Sequence, residues 1–384
     1  MFHNSYIEIS KSAFQNNLQF IKNVLGNRAA LSLVIKGNAY GHGIENFLPM
    51  AEEYGVNHFS VFSADEALKA LKSKKKHSHV MIMGMIDDDQ IDWAIEQDIS
   101  FYVFEFERLQ LAIQAARRQK KKALIHIELE TGMNRLGFDN SEFGKLISTL
   151  TSNAKHLSIE GICTHYAGAE SVSNYLRVQN QIKSFNSHLE NFKKQGIQVK
   201  TRHTASSASA MTYPETIMDM ARIGIALYGY WPSQETYMQH ILNGGKVNVN
   251  PLERVISWKT KVMSTKKVKK GDFVNYGTSY QTNRDMRVAS VPVGYCHGFS
   301  RSMSNLGRVL IRGKRLSVVG VVNMNMFLVD ITNYPNIKKG DEVVIIGKQG
   351  KNMISVSAFG EISNYVNYET LVRLPEDIPR KIVE

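Results

Sequence analysis

Lys36 closes the apolar run Leu33-Val34-Ile35 and opens a glycine-rich stretch, Lys36-Gly37-Asn38-Ala39-Tyr40-Gly41-His42-Gly43. A lysine set directly after a buried strand is either desolvated or paired, or it carries its ammonium out to water along its four-carbon stem. In the first case its pKa falls and the free amine can form a Schiff base with an aldehyde. In the second it only snorkels from the mouth of the fold, and the residue alone favours this second reading. Arg222 is the next chemical group of note, because it interrupts the apolar run Met220-Ala221-Ile223 and so makes a poor surface arginine. A guanidinium is always protonated and only donates, so whatever faces it must accept. His165 stands where the run 159–164 ends. A lone histidine there is more often structural than catalytic; only company makes it chemical.

Such side chains need elements to hold them. Up to about residue 230, apolar runs at 31–35, 58–62, 80–84, 99–104, 123–129, 159–164, 202–205 and 220–224 alternate with helix-like segments. Eight strand–helix units over that length predict a (β/α)8 TIM-like barrel, whose reactive groups sit where strands end and loops begin. Ser63-Ala64-Asp65-Glu66 reads as a capping box for one of the helices. Beyond about residue 245 strand follows strand, at 255–263, 287–293, 309–311, 316–322, 327–331 and 342–346, with glycine turns such as Lys270-Gly271-Asp272. The reading is a barrel over residues 1–243 and a mainly β C-terminal domain over 244–384, with Asn243-Gly244-Gly245-Lys246 as hinge.

The motifs resemble those of the alanine racemases, pyridoxal-phosphate enzymes of the barrel type. Lys36 to Gly43 differs at one position from their usual Lys-Ala-Asn-Ala-Tyr-Gly-His-Gly. In order along the chain, Thr131-Gly132-Met133-Asn134-Arg135-Leu136-Gly137-Phe138, Thr164-His165-Tyr166-Ala167, His203-Thr204-Ala205-Ser206-Ser207-Ala208 and Arg222-Ile223-Gly224-Ile225-Ala226-Leu227-Tyr228-Gly229 match as well. Tyr276-Gly277-Thr278-Ser279-Tyr280, Val293-Gly294-Tyr295, part of Asn323-Met324-Asn325, and Asn367-Tyr368-Glu369 extend the match through the second domain. One such string is weak evidence; nine in the right order are strong.

The resemblance implies a role for each residue. Lys36 would hold pyridoxal phosphate through a Schiff base and act as one base at the substrate α-carbon. Tyr40, Ser207, Tyr368 and the backbone at Gly224 and Ile225 would bind the phosphate, a task for which hydroxyls and loop N–H groups are suited. Arg222 would face the pyridine nitrogen and keep it unprotonated, with His203 buttressing the arginine. Racemisation needs a base on each face of a planar carbon, and the resemblance gives the second face to Tyr276 of a neighbouring subunit. His165 would polarise that tyrosine. Arg135 would hold the cofactor's phenolic oxygen and the substrate carboxylate, the latter together with the backbone of Met324. The site would then be shared in a homodimer.

Two departures from the family pattern stand out. Glu128 lies seven residues before Arg135, where many members carry a carbamylated lysine, and is read as a ready-made anion orienting Arg135. Asn323-Met324-Asn325 replaces the usual Cys-Met-Asp. Broad-specificity racemases of serine, lysine or arginine tend to carry that last asparagine, whereas Tyr368 matches the residue that narrows the pocket for alanine. L-alanine to D-alanine, for peptidoglycan, is the leading reading. A pyridoxal-phosphate carrier built on a single barrel is the non-enzyme alternative, and the second domain argues against it.

Composition bounds the rest. The 384 residues are 43% hydrophobic and 21% charged, a globular balance. No run approaches the roughly 18 apolar residues of a spanning helix, and the N-terminus lacks the features of a secretory signal, so a cytoplasmic protein is expected. The two cysteines, Cys163 and Cys296, are expected as free thiols. The net charge of +12 gathers in runs at 72–76, 117–122 and 266–270 without interleaved aromatics. These read as solvated faces, not as a nucleic-acid surface, though they could steer anionic ligands. No metal site is expected.

Overall fold

A computed structural model of the chain describes residues 3–247, 249–359 and 368–384, so Asn367 of the last motif lies outside the described residues. The first strands in chain order are β1 (Ser5–Ser10), β2 (Ala30–Val34), β3 (His58–Val61), β4 (His79–Ile82), β5 (Ser100–Val103), β6 (Ala123–Glu128), β7 (Leu157–Cys163), β8 (Thr201–His203) and β9 (Met220–Ile223). Strands β2 to β9 are parallel and coincide with the eight runs read from sequence. They are ordered β8-β7-β6-β5-β4-β3-β2-β9. At the seam between β8 and β9, Asp219 N–H donates to Arg202 O and Arg222 N–H to Ala205 O, which nearly closes the barrel. Helices Ala64–Ser73, Asp88–Glu96, Phe106–Gln119, Phe143–Ser152 and Tyr175–Lys194 follow β3 to β7 in turn.

Local chemistry accounts for these elements. All four residues of β5 are buried, as expected of a parallel strand covered on both faces. Helix Phe106–Gln119 buries Leu109, Ala112, Ile113 and Ala116, spaced three or four apart, and ends at Lys120 in the left-handed region. The helix at Ala64 forms where the sequence places it, but without the expected box. Ser63 makes no side-chain cap, and the Glu66 carboxylate reaches one residue further back to accept the Phe62 N–H at 2.8 Å.

Contacts divide the chain into two units that interleave in sequence. The barrel unit comprises Ala13–Lys36 and Leu48–Glu253; the β-rich unit comprises Met1–Ser12, Gly37–Phe47 and Arg254–Glu384. Residues 243–246 end helix Gln234–Leu242, with Gly244 at φ +97°. The β-rich unit adds β10 (Ile256–Lys261), β11 (Ser264–Val268), β12 (Met286–Val291), β13 (Arg308–Ile311), β14 (Lys314–Val319), β15 (Phe327–Asp330), β16 (Glu342–Gln349), β17 (Asn352–Ile354) and β18 (Arg380–Val383). Its sheet runs β11-β12-β15-β14-β13-β16-β10-β1-β18, with β17 paired to β16. β1 lies antiparallel to β10, Ile7 opposite Trp258, and parallel to β18. The N-terminal strand therefore belongs to the sheet of the chain's second half.

Candidate active site

In the barrel unit the reactive groups gather where β2, β6, β7, β8 and β9 end. Lys36 lies two residues past the end of β2, after buried Ile35; solvent reaches its side chain, yet crowding desolvates the ammonium and lowers its pKa. Arg135 is the next cause and Arg222 adds to it, while Glu66 opposes both. Among the described residues Lys36 Nζ makes no hydrogen bond or ion pair.

Arg222 is buried, 6% exposed, on β9. One Nη donates to His203 Nδ1 at 2.6 Å and to the His203 carbonyl; the other donates to Thr164 O at 2.9 Å. Three of its five N–H groups are spent, and two remain for an acceptor. His165, next to Thr164, has its pKa lowered to about 3 by burial first, then by Arg222, Arg135 and Lys36. Burial and the neighbouring cations therefore favour the neutral imidazole.

Ser207 opens helix Ser207–Thr212, which Ser206 caps by accepting from Ser209 N–H. The Ser207 hydroxyl accepts the Gly224 N–H at 3.1 Å and keeps its own proton to donate. The N–H of buried Ile225 finds no acceptor among the described residues. A free amide and a free O–H side by side suit an anion.

Arg135 is exposed on a loop that folds around the Glu130 carboxylate, which accepts the N–H groups of Gly132, Asn134 and Arg135. The structure does not join Arg135 to Glu128. No hydrogen bond or ion pair connects them among the described residues: Glu128 is buried at the end of β6, while Arg135 is exposed on the loop beyond it. Burial raises the Glu128 pKa, opposed first by Arg222 and only then by Arg135. Its main charge partner is thus Arg222.

In the β-rich unit the segment after Lys36 is a left-handed turn. Gly37, Asn38 and Ala39 lie near φ 62°, 52° and 54°, and Tyr40 has φ 50°. The turn is held by Gly41 N–H to Gly37 O, Gly43 N–H to Asn38 O, and Ile44 N–H to Asn38 Oδ1. Arg380 donates to Gly41 O, and the Tyr40 and Tyr368 rings meet edge to face at 6.0 Å.

Elsewhere in that unit Tyr276 is 74% exposed at a turn whose preceding residue, Asn275, has φ 68°. Asn275 donates to Val321 O and accepts from Asn323 Nδ2 at 2.8 Å, so the Tyr276 turn is tied to the Asn323-Met324-Asn325 loop. The Met324 carbonyl accepts Cys296 N–H, leaving its own N–H without an acceptor among the described residues. Cys163 is buried, Cys296 exposed, and both are free.

Sequence reasoning missed His126, Asn275 and Arg380. His126 had a signal, since it shares a strand face with Glu128 two residues on. The other two had none, because their role depends on loops distant in sequence.

A desolvated, unpaired lysine whose ammonium feels the fixed cation of Arg222, at the carboxyl ends of barrel strands, defines a barrel enzyme with a lysine-centred site for an anionic ligand. Comparison with known proteins gives the particular kind. Profiles described as the alanine racemase N-terminal and C-terminal domains match residues 9–232 and 255–382. An alanine racemase from Leptospira interrogans is 33% identical over all of this chain and 96% of its own length. One from Methanococcus maripaludis is 31% identical over 98% of each. The crystal structure of the Bacillus anthracis alanine racemase with bound L-Ala-P superposes with a TM-score of 0.88 at 29% identity, covering 100% of this chain and 96% of that one. The chain belongs to the alanine racemase family.

Proposed function

We propose that this protein interconverts L-alanine and D-alanine with pyridoxal phosphate. The observation that carries this is Lys36: an amine without a partner, its proton weakened by its surroundings, in the family's cofactor-lysine motif. The donor set fits the cofactor. Lys36 Nζ is available for its aldehyde, the spare N–H groups of Arg222 call for an acceptor such as an unprotonated pyridine nitrogen, and Ser207 O–H with Ile225 N–H suits its phosphate. Tyr40 and Tyr368 are assigned to that phosphate on the motif match, and Arg135 to the phenolic oxygen; the match assigns Gly224 to the phosphate as well, although its N–H is held by the Ser207 hydroxyl.

Bound through Lys36, the cofactor would acidify the α-hydrogen of the amino acid by drawing electron density from the α-carbon. The protein's residues do the rest. A racemase must remove the proton on one face and return one on the other, since a single face preserves configuration. Lys36 Nζ, whose lowered pKa leaves more free amine near neutrality, serves one face. Tyr276 of the partner subunit serves the other in a homodimer, its hydroxyl hydrogen-bonded to the neutral His165. Arg135 and the Met324 N–H hold the substrate carboxylate. Arg222, a cation that cannot accept a proton, keeps charge from settling on the ring nitrogen and so favours proton return over side reactions. In a bacterial cytoplasm the product D-alanine would supply peptidoglycan.

Asn325, which donates to Cys296 Sγ at 3.1 Å in place of the family's acid, favours a second reading, a racemase of broader range. The test is a panel of L-amino acids with the purified protein, together with borohydride fixation of the cofactor and mass mapping. Alanine is expected to turn over fastest, with the adduct on Lys36. An adduct on another lysine overturns the proposal, and a faster polar or basic substrate moves it to the second reading.

A further inference from the structure

Behind Arg222 the barrel interior holds a second histidine. His203 on β8 and His126 on β6 turn toward each other across β7, with His126 Nδ1 and His203 Nε2 2.8 Å apart and the rings edge to face. Gly161 of β7 lies between them, and its backbone pairs with His126 on one side and Thr201 on the other. The β6–β7 ladder is irregular at that point: Ile125 pairs with Ile159 and His126 with Gly161, so Glu160 is skipped. A bulge of this kind re-aims the residue beside it. A methyl group on Gly161 would stand 2.7 Å from His203 Nε2 and closer still to His126 Nδ1.

Hydrogen counting fixes the state of both rings. Arg222 can only donate, so His203 Nδ1, 2.6 Å from its Nη, must present a lone pair. The single proton of His203 is then on Nε2 and is donated to His126 Nδ1, which must also be bare. His126 in turn carries its proton on Nε2. Protonation of His203 would set two donors face to face. Both rings are buried, which opposes that charge independently.

We propose that His126 and Gly161 are positioning residues for Arg222. His126 locks the tautomer and plane of His203, His203 fixes the guanidinium, and Gly161 is the gap through which the two rings meet. Neither His126 nor Gly161 touches substrate; they set where the two spare N–H groups of Arg222 point. The kinetic half of this inference rests on the racemase reading, and the spectroscopic half does not.

The experiment uses the full-length, cofactor-loaded protein labelled with ¹⁵N-histidine, with His126→Leu, His126→Asn and Gly161→Ala. Asparagine places an amide oxygen where Nδ1 stood and can still accept from His203. The spectrum of the unmodified protein should contain two rings protonated on Nε2 alone from about pH 8 down to about pH 5, and Gly161→Ala should shift both. His126→Leu should lower kcat by about tenfold or more, the rate equivalent of one buried hydrogen bond. His126→Asn should keep kcat within about threefold, and KM for alanine should move less than about threefold in either. A proton on Nδ1 of either ring, equal losses in the Leu and Asn variants, or ring signals indifferent to Gly161→Ala would overturn the lock. Should the Leu variant not fold, the tautomers of the unmodified protein still decide the matter. If alanine is not a substrate, they do so independently of the racemase reading.

Discussion

At the scale of single residues, Glu128 poses a contest between two energies. It is a buried carboxylate with no hydrogen-bond donor or ion-pair partner among the described residues, facing the cations of Arg222 and Arg135. Attraction to the arginines favours the anion and desolvation disfavours it; desolvation wins, since the pKa is raised. For an acid, a raised folded-state pKa means that stability falls as pH rises from its ordinary value, near 4.5, through the raised one. Glu128→Gln, neutral and the same shape, should therefore stabilise the protein by about 1 kcal/mol at pH 8 and by nothing near pH 4. Thermal unfolding of the two proteins at both pH values checks this; a variant less stable at pH 8 would mean that the arginines outweigh burial. Lys36, Arg222 and His165 were legible in the sequence because a polar residue at the end of an apolar run is conspicuous. The partner of Glu128 was not, since seven residues of separation say nothing about where a loop swings its arginine.

At the scale of elements, the left-handed turn of residues 37–40 is the least ordinary segment. Each L-residue held there costs roughly 1–2 kcal/mol, so the turn persists only because its surroundings fix it. Gly41 is part of that fixing: at φ +80° its α-carbon passes so near the Leu371 carbonyl that any Cβ would overlap it. A carbonyl of the main chain cannot step aside as a side chain can. Gly41→Ala should cost at least about 2 kcal/mol, seen in urea unfolding, and should release Tyr40 from Tyr368. A loss under about 0.5 kcal/mol would show that the approach relaxes freely. Barrel strands such as β5 were readable because both faces are buried, so the run is almost wholly apolar; β8, Thr201–His203, is polar and only partly buried, and was legible mainly from its place in the alternation. β1, β11 and β18 were not. β11, Ser264–Val268, is a mostly exposed edge strand with two lysines, and β1 is stabilised by partners some 250 residues away (Ile7 opposite Trp258). The glycines after Lys36 announce an unusual turn, but its hand and its four-residue length depend on contacts with residues beyond 370.

At the scale of the molecule, the two units carry unequal loads of buried histidine. Burial lowers His42 and His165 to about 3 and His58 to about 4, and pushes His126 and His203 well below the ordinary value as well. Four of these five rings, all but His42, belong to the barrel unit. In the unfolded chain each takes up a proton near pH 6.5. Between that pH and its folded pKa the unfolded state binds more protons, so stability falls as the solution is acidified. Each ring withdraws on the order of 1.4 kcal/mol per pH unit across that window. Glu128 opposes the trend, but it is one group against four. The barrel unit should therefore lose stability on acidification more steeply than the β-rich unit. Trp93 and Trp231 lie in the barrel unit and Trp258 in the other, so Trp258→Phe leaves a fluorescence signal from the barrel alone, and Trp93→Phe with Trp231→Phe leaves one from the β-rich unit. Melting curves between about pH 8 and 4.5 should show the barrel midpoint falling faster. His58→Asn, which keeps a polar group for Ser32 but cannot titrate, should flatten the barrel's slope by about one ring's share. Midpoints that fall in parallel, or a His58→Asn slope equal to that of the unmodified chain, would mean that these rings do not stay neutral in the folded protein.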